Sequence, residues 1–381
     1  MTCVASPPVV VFTPAVASGR VLSIDWMRGL AVLVMIECHS LVFLAKPWRN
    51  GWGEHALTQI NGLVAPAFIL VAGFVLALLM GKAAADPDAR RKRARSSLWR
   101  IVQVLLAANL MRFEFKPVFH DPSWFWRVDI LSCIAYTLLV VWLVMRISRA
   151  HLWLAASLLT ALFLAVLACE PFAEAYAGPS VFGHLLNNKT GSDFPLTPCS
   201  AFLLLGAVMG VLAARLGSST KHLFGLWAMV LVFGWSLWQL QLPIERLYHG
   251  YPTYWLSAFG DRMWQLALAG MGLLLLERCN WNRATGILSL PRKLLAFFGS
   301  MSLSAYVIHL LLLYGVRYGS AHSIQFTEPL HDRCGWPGYW AMTLVVITAT
   351  GLLCRVLALP AQWRKDRQRQ VLQPSPLEVL Q

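Results

Sequence analysis

The chain has few charged residues, and acidic ones are especially scarce. Only 13% of its 381 residues are Asp, Glu, Lys or Arg, against about a quarter in ordinary soluble domains. Hydrophobic residues make up 57% of the chain. A soluble fold this apolar would have too few polar groups for its surface, so the composition excludes a soluble globular or disordered protein. We predict an all-α, polytopic integral membrane protein.

Cysteine and internal repeats are also lacking. Eight cysteines in 381 residues are too few for a disulfide scaffold, and no C-x-x-C pair or Cys/His ligand spacing is present, so we expect no metal. No repeat of fixed period is visible, and an inverted-repeat transporter therefore gains no support from the sequence.

Long apolar stretches make up most of the sequence. Ten of them are long enough, or nearly so, to cross a bilayer at about 20 residues each, and we expect about ten transmembrane helices with both termini cytoplasmic. They lie near 22–44, 61–81, 97–112, 129–147, 152–169, 199–215, 223–241, 262–277, 294–316 and 338–359. Three regions follow: a loose cytoplasmic leader over 1–20, a transmembrane domain over 21–360, and a basic cytoplasmic tail over 361–381.

Basic residues outnumber acidic ones by 32 to 18, which gives a net charge of +14. In the predicted topology the runs RRKRAR (Arg90 to Arg95) and WRKDRQR (Trp363 to Arg369) both face the cytoplasm, as the positive-inside rule requires. Topology thus accounts for these runs, so we expect no nucleic acid partner. Contact with anionic membrane lipids is compatible with this arrangement.

The first span carries ionisable residues, which are costly inside a membrane and therefore mark functional candidates. Asp25 and Arg28 are three apart and can pair on one helix face. Arg28 and His39 are eleven apart, which brings them to within about 20° of the same direction with a rise of roughly 16 Å. We expect this stripe to face the protein interior, with Glu37 pointing the opposite way. The simpler alternative is an interfacial ion pair that anchors the helix end.

A second polar face lies on the ninth span. Ser302, Tyr306 and His309 recur there at helical spacing, and small residues nearby allow close helix packing. His309 is about as far from the inner end of its span as His39 is from that of the first. An apolar site favours neutral imidazole, which a general base or an acyl-accepting nucleophile requires. A proton relay in a transporter would use the same residues.

The motifs resemble those of a known family. The string DWMRGLAVLVMIECH (Asp25 to His39) resembles the first-helix motif of transmembrane acyltransferases related to heparan-alpha-glucosaminide N-acetyltransferase, in particular its bacterial relatives. NGLVAPAFILVAGF (Asn61 to Phe74) resembles their second-helix pattern, and GSMSLSAYVIHL (Gly299 to Leu310) resembles their late Ser-Leu-x-x-Tyr-x-x-His helix. The middle of the chain, about 113–290, shows no particular resemblance.

The resemblance implies an enzyme that takes an acyl group, expected to be acetyl, from acetyl-CoA on the cytoplasmic side. The group passes to a sugar amine or hydroxyl on the outer face of the plasma membrane, in a bacterium the inner membrane. The family's chemistry is attributed to a histidine near the outer ends of the first two helices, which here is His39 or His55. The sequence after His55, ALTQING, lacks the acid that the family pattern has there, which favours His39.

Roles for the remaining candidates follow from this hypothesis. Arg28, with Arg95 or Arg100, is expected to bind the CoA phosphates, because guanidinium groups bind phosphate oxygens bidentately. Asp25 would hold Arg28 in place. His309, Tyr306 and Ser302 are placed at the acceptor or at the oxyanion. The alternative functions are a proton-coupled transporter or flippase for an envelope precursor, and a non-catalytic scaffold.

Tryptophans and carboxylates of the outer loops suit a sugar ligand, although tryptophans also form the interfacial belts of membrane proteins. The tryptophans in question are Trp48, Trp52, Trp124, Trp126, Trp255 and Trp336.

Overall fold

The computed structural model describes most of the chain as helix. The described residues are 21–49, 51–112, 126–178, 180–249, 251, 253–279, 281, 285–286, 289–317, 323–324 and 327–372. The predicted leader, 1–20, lies outside them. The predicted tail is not separate from the last helix, which continues through Leu372.

Fourteen α-helices occur among the described residues, with a two-stranded antiparallel hairpin formed by β1 (Val316–Arg317) and β2 (Ser323–Ile324). The helices are α1 (Leu22–Ser40), α2 (Trp52–Asn61), α3 (Val64–Lys82), α4 (Pro87–Arg112), α5 (Ile130–Ser148), α6 (Leu152–Ala175), α7 (Ser180–Leu186), α8 (Leu196–Leu216), α9 (Thr220–Gln239), α10 (Gln241–Leu247), α11 (Tyr254–Arg278), α12 (Ser289–Ser300), α13 (Ser302–Tyr314) and α14 (Trp336–Leu372). The prediction of an all-α fold is confirmed.

Seven segments within the described residues are long and apolar enough to cross a membrane, and the bent pair α12 and α13 makes an eighth if it is one span. The ten predicted spans all coincide with helices, but the number ten is not confirmed. The two that fall short are α4 and α11, because charged side chains such as Arg95, Arg100, Asp261 and Arg262 lower their average hydropathy.

Helix α8 lies at the centre of the bundle, and α14 lies at its edge. In the most apolar window of α8, 78% of the residues are buried, against 22% in that of α14. The leucines and valines along α14 that remain exposed are suited to contact lipid tails.

Close backbone contact joins α8 to α3. A methyl group added at Gly206 would collide with the backbone carbonyl of Leu70, and one added at Gly73 would collide with that of Leu203. Since lipid tails are as apolar as leucine, helices in a membrane associate through such close packing rather than through the hydrophobic effect.

Close backbone packing at glycine also holds α1 against α12. Gly29 packs on the backbone of Leu295, and Gly299 packs on the carbonyl of Asp25. At the start of α1, the Glu277 carboxylate accepts hydrogen bonds from the backbone N–H groups of Leu22 (3.3 Å) and Ser23 (2.9 Å). A carboxylate at a helix N-terminus satisfies orphan N–H groups and complements the helix dipole. The start of α1 is thereby anchored to both α11 and α12.

The contact between α3 and α8 generates a stability prediction. Gly206→Ala should destabilise the protein by about 1–3 kcal/mol, the range for overpacking a close-packed site. Gly225→Ala on α9 is the matched control, because a methyl group there meets nothing within 4 Å. It should be neutral or slightly stabilising, since alanine is the better helix former. Thermal unfolding in detergent measures both, and equal effects would contradict the packing.

Candidate active site

Three arginines line a cavity of about 370 Å³ between α1, α4 and α13. Arg28 projects from α1, while Arg93 and Arg100 lie seven residues apart on α4, which places them on one helix face. We call this space the arginine cavity. Its apolar walls come chiefly from α3 and α5 and include Phe68, Ala72, Val75, Leu76, Ile134 and Leu138. A cationic opening with a long apolar lining suits an anionic ligand that carries an extended chain.

The polar side of this cavity is formed at a sharp break in the chain. Helices α12 and α13 meet at 89° across Met301, and Ser300, Ser302 and Tyr306 line the cavity at and after the break. Arg28 Nη1 donates a hydrogen bond to the Gly299 carbonyl, 3.2 Å away. Because the bend interrupts the helix, carbonyls near its end need partners from elsewhere, and Arg28 supplies one.

The structure brings His39 and His309 together. Their ring centroids are 5.3 Å apart, so the two imidazoles lie side by side, and their depth in the membrane stays a prediction. The Tyr306 ring contacts His309 edge-on, with centroids 5.7 Å apart. Tyr306 therefore connects the arginine cavity to the histidine pair.

The hydrogen bonds of His309 fix its tautomer. Its side chain is fully buried, and Nδ1 lies 2.8 Å from the Ala305 carbonyl. A carbonyl only accepts, so Nδ1 must carry the proton. The buried Nε2 makes no hydrogen bond to any described residue, and in neutral imidazole it presents a lone pair. An unsatisfied buried acceptor costs about 1–3 kcal/mol, which is typical of a functional position.

His39 is half-buried, and its Nδ1 forms a hydrogen bond with the Tyr314 hydroxyl at 3.2 Å. The Tyr314 ring also stands edge-on to the imidazole, with centroids 5.7 Å apart. These two contacts from Tyr314 set the orientation of the His39 ring. The other ring nitrogen of His39, Nε2, remains available to a substrate.

The other face of α1 is held by Glu37, as the helical spacing predicted. Glu37 is buried and accepts a hydrogen bond from the Tyr339 hydroxyl of α14. This bond fixes the last turns of α1 to α14, two residues before His39.

The segment before α14 closes over this end of α1. Phe43 O and Val42 O accept backbone hydrogen bonds from Cys334 and Asp332, each of 2.9 Å. Arg49 donates to the Leu44 carbonyl at 2.9 Å and pairs with the Asp332 carboxylate. The chain that follows His39 is thus fixed to the segment before α14.

A second cavity, of about 330 Å³, opens where α2 ends and α3 begins. We call it the Trp255 cavity. It lies against Ala65, Pro66 and Ile69 in the first turns of α3, whereas the arginine cavity touches Phe68 and residues further along that helix. Its polar lining consists of Asn61, Asn188, Asp193 and Arg262, and its aromatic lining of Phe194, Phe202, Tyr254, Trp255 and Phe259.

The predicted site residues divide into two groups. Arg28, Arg100, Ser302 and Tyr306 line the arginine cavity, and His39 and His309 meet beyond Tyr306. His55 stands apart, exposed on α2, and contacts neither of these features among the described contacts. Asp25 is half-buried one turn before Arg28, and its pairing with Arg28 stays a prediction.

Of the two alternatives Arg95 and Arg100, only Arg100 lines the cavity, and Arg93 lines it as well. The sequence shows the spacing of seven between Arg93 and Arg100, but Arg95 was the only member of RRKRAR considered for the CoA phosphates. Tyr314 and Tyr339 were also missed, and the periodicity of a single helix gives no signal for contacts made by another.

No three His, Cys, Asp or Glu side chains come together as a metal site in the part of the chain that the structure describes.

Long apolar helices around buried polar side chains, with two adjacent imidazoles and a cavity lined by arginines, define an integral membrane protein. The family described as heparan-alpha-glucosaminide N-acetyltransferase, catalytic, matches residues 20–240. The match covers more than half of the chain, so this chain belongs to that family of transmembrane acetyltransferases. No curated protein matches it. The matched region holds Arg28, His39 and Arg100, while Tyr306 and His309 lie beyond it.

The contact between Tyr314 and His39 generates a prediction about acyl transfer. Tyr314→Phe should lower the rate about two- to tenfold, since one hydrogen bond worth about 0.5–1.5 kcal/mol no longer orients the imidazole. Tyr248→Phe is the matched control: it also removes one tyrosine hydrogen bond, of 3.0 Å to the Ala168 carbonyl. Turnover assays on the purified variants measure the difference, and an equal loss in both would contradict a role at His39.

Proposed function

We propose that this protein transfers an acetyl group from cytoplasmic acetyl-CoA to a hydroxyl or amine of a sugar on the outer face of the plasma membrane. Family membership supports acetyl transfer and a CoA thioester donor. The observation that carries the proposal is the continuous series from the arginine cavity, through Tyr306, to the His39–His309 pair. The arginine cavity would admit the donor, and the histidine pair would supply the general base.

The donor enters at the arginines. Arg93 lies in the basic first turns of α4, which the positive-inside rule assigns to the cytoplasm, and Arg100 follows two turns later on the same face. Guanidinium groups bind phosphate oxygens in pairs, so these residues and Arg28 would hold the phosphates of CoA. The apolar walls from α3 and α5 would enclose its pantetheine arm. Ser302 and Tyr306 lie on the polar wall, where Tyr306 is placed to donate a hydrogen bond to the thioester carbonyl.

The histidine pair supplies the proton transfer. His39 is the half-buried member, so its Nε2 is accessible to an acceptor, whereas His309 is fully buried. In the proposed reaction His39 takes a proton from the acceptor, whose oxygen or nitrogen attacks the thioester carbon. The carbon–sulfur bond breaks, and the CoA thiolate recovers a proton. The lone pair on His309 Nε2 provides a second place for that proton. A brief acetyl-histidine on His39 would give the same products.

The domain assignment follows from the same geometry. Residues 21–360 form the proposed acyltransferase domain, because the site draws on helices from α1 to α14. The basic residues at the inner ends of the helices would contact anionic membrane lipids. In a bacterium the location would be the inner membrane.

Proton-coupled transport is the second candidate function. The 89° break between α12 and α13 favours it, because broken helices form the binding sites of many transporters. Glu37, His39 and His309 would then relay protons. Transporters of that kind carry a broken helix in each of two corresponding halves, and only one is found among the described residues.

Vesicle assays with purified protein separate these functions. Label should pass from acetyl-CoA to the acceptor, and His39→Ala should lower the rate about 10²- to 10⁴-fold, the range for loss of a general base. His151→Ala, an exposed histidine between α5 and α6, is the control and should retain full activity.

Two results would contradict the assignment. Undiminished transfer by the His39→Ala protein, with loss of transfer in His55→Ala, would move the base to His55. Substrate-dependent proton flux in a protein that binds no acetyl-CoA would establish the transporter instead.

A further inference from the structure

The Trp255 cavity takes no part in the proposed binding of the donor, and neither His39 nor His309 lines it. We infer that it binds an uncharged sugar ring of the acceptor, and that the acetylated group is therefore a sugar hydroxyl. This inference rests on the proposed function and specifies its acceptor.

The lining of the cavity matches a pyranose in both size and chemistry. At about 330 Å³ it is at the small end of ligand pockets. The half-buried Trp255 ring offers an apolar face on which the C–H face of a sugar can stack, as aromatic side chains do with apolar ligand surfaces. Asn188 and Asp193 line the same space with an amide and a carboxylate, which bond to hydroxyl groups as donor and acceptor.

The side-chain oxygen of Asn61 provides an independent sign of a missing ligand. The Asn61 amide interacts with the Glu37 carboxylate, and only its N–H groups can donate there. Its buried oxygen lines the cavity and makes no hydrogen bond to a described residue. Buried amide groups are almost always hydrogen-bonded, because each unsatisfied group costs about 1–3 kcal/mol. A hydroxyl group of a bound sugar would donate to this oxygen.

The charges in the cavity argue against a cationic amino sugar. The lining carries one carboxylate, Asp193, and one guanidinium, Arg262, whose Nη1 donates to the Gln59 carbonyl at 3.2 Å and which lies close against Gly62. A lining with one charge of each sign has no excess negative charge to attract an ammonium group. The Asp193 carboxylate can still accept hydrogen bonds from two neighbouring hydroxyls, which suits a neutral ring.

Two observations relate this cavity to the reaction centre. It lies against the first turns of α3, beyond the residues of that helix that line the arginine cavity. The Asn61 amide interacts with the Glu37 carboxylate, two residues before His39. A sugar in the Trp255 cavity would therefore lie on the acceptor side of the histidine pair, with the donor on the other side.

The chemical step balances for a hydroxyl acceptor. A sugar oxygen attacks the carbonyl carbon of acetyl-CoA while His39 takes the hydroxyl proton. The carbon–sulfur bond breaks, the thiolate leaves as CoA and receives that proton, and an O-acetyl ester is formed.

Binding of methyl glucoside, a neutral probe, to the protein in nanodiscs tests the inference by saturation-transfer NMR. Asp193→Asn should weaken binding about tenfold or more, because a hydrogen bond to a charged group is lost, and Trp255→Ala should do the same through lost stacking. Asp193 is exposed, so its asparagine variant should fold. Trp264→Ala, on the same helix and outside the cavity lining, and Glu328→Gln, an exposed acid elsewhere, are the matched controls and should bind as the wild type does.

The outcomes distinguish this inference from the proposed function. Unchanged binding in both cavity variants, or wild-type binding of glucosamine but not of methyl glucoside, would overturn the inference and leave acetyl transfer intact. Acetyl-CoA binding is measured in the same preparations. Its absence would overturn the proposed function, while sugar binding that depends on Asp193 and Trp255 would still establish the cavity as a sugar site.

Discussion

Polar groups inside an apolar bundle must find their partners within the protein, and this constraint organises the site. Water is not available to hydrogen-bond them, and lipid tails offer nothing in its place. Arg28 meets the Gly299 carbonyl, Glu37 meets Tyr339, and His39 meets Tyr314. These bonds join α1 to α12, α13 and α14. Three polar side chains of one helix thus fix its position against three helices of the second half of the chain.

Close backbone packing makes those bonds possible. Gly29 and Gly299 let α1 and α12 approach until their backbones touch, and the break at Met301 then turns α13 so that Tyr306 and His309 face α1. Without the break, Ser302 and Tyr306 would continue in the direction of α12. The bend thus forms one wall of the arginine cavity and also places His309 beside His39. Cavity and histidine pair are two consequences of one change in helix direction.

The sequence predicted features that depend on periodicity within one helix. The stripe from Arg28 to His39, the opposite direction of Glu37 and the shared face of Tyr306 and His309 all follow from 100° per residue. Features that need the relative rotation of two helices were not predictable, including the Tyr314–His39 bond and the choice of Arg93 over Arg95. The count of ten spans is not confirmed for a related reason: α4 and α11 carry charged side chains that lower their average hydropathy, and hydropathy is summed over one helix at a time.

The division of the molecule into a cationic entrance, an enclosed imidazole pair and an aromatic cavity is the central claim. A cryo-electron microscopy structure in lipid nanodiscs with acetyl-CoA bound tests it most directly. We expect the CoA phosphates at Arg93 and Arg100, the thioester beside Tyr306, and the rings of His39 and His309 still in contact. Density for CoA outside this cavity, or the two imidazoles turned apart toward lipid, would contradict the account.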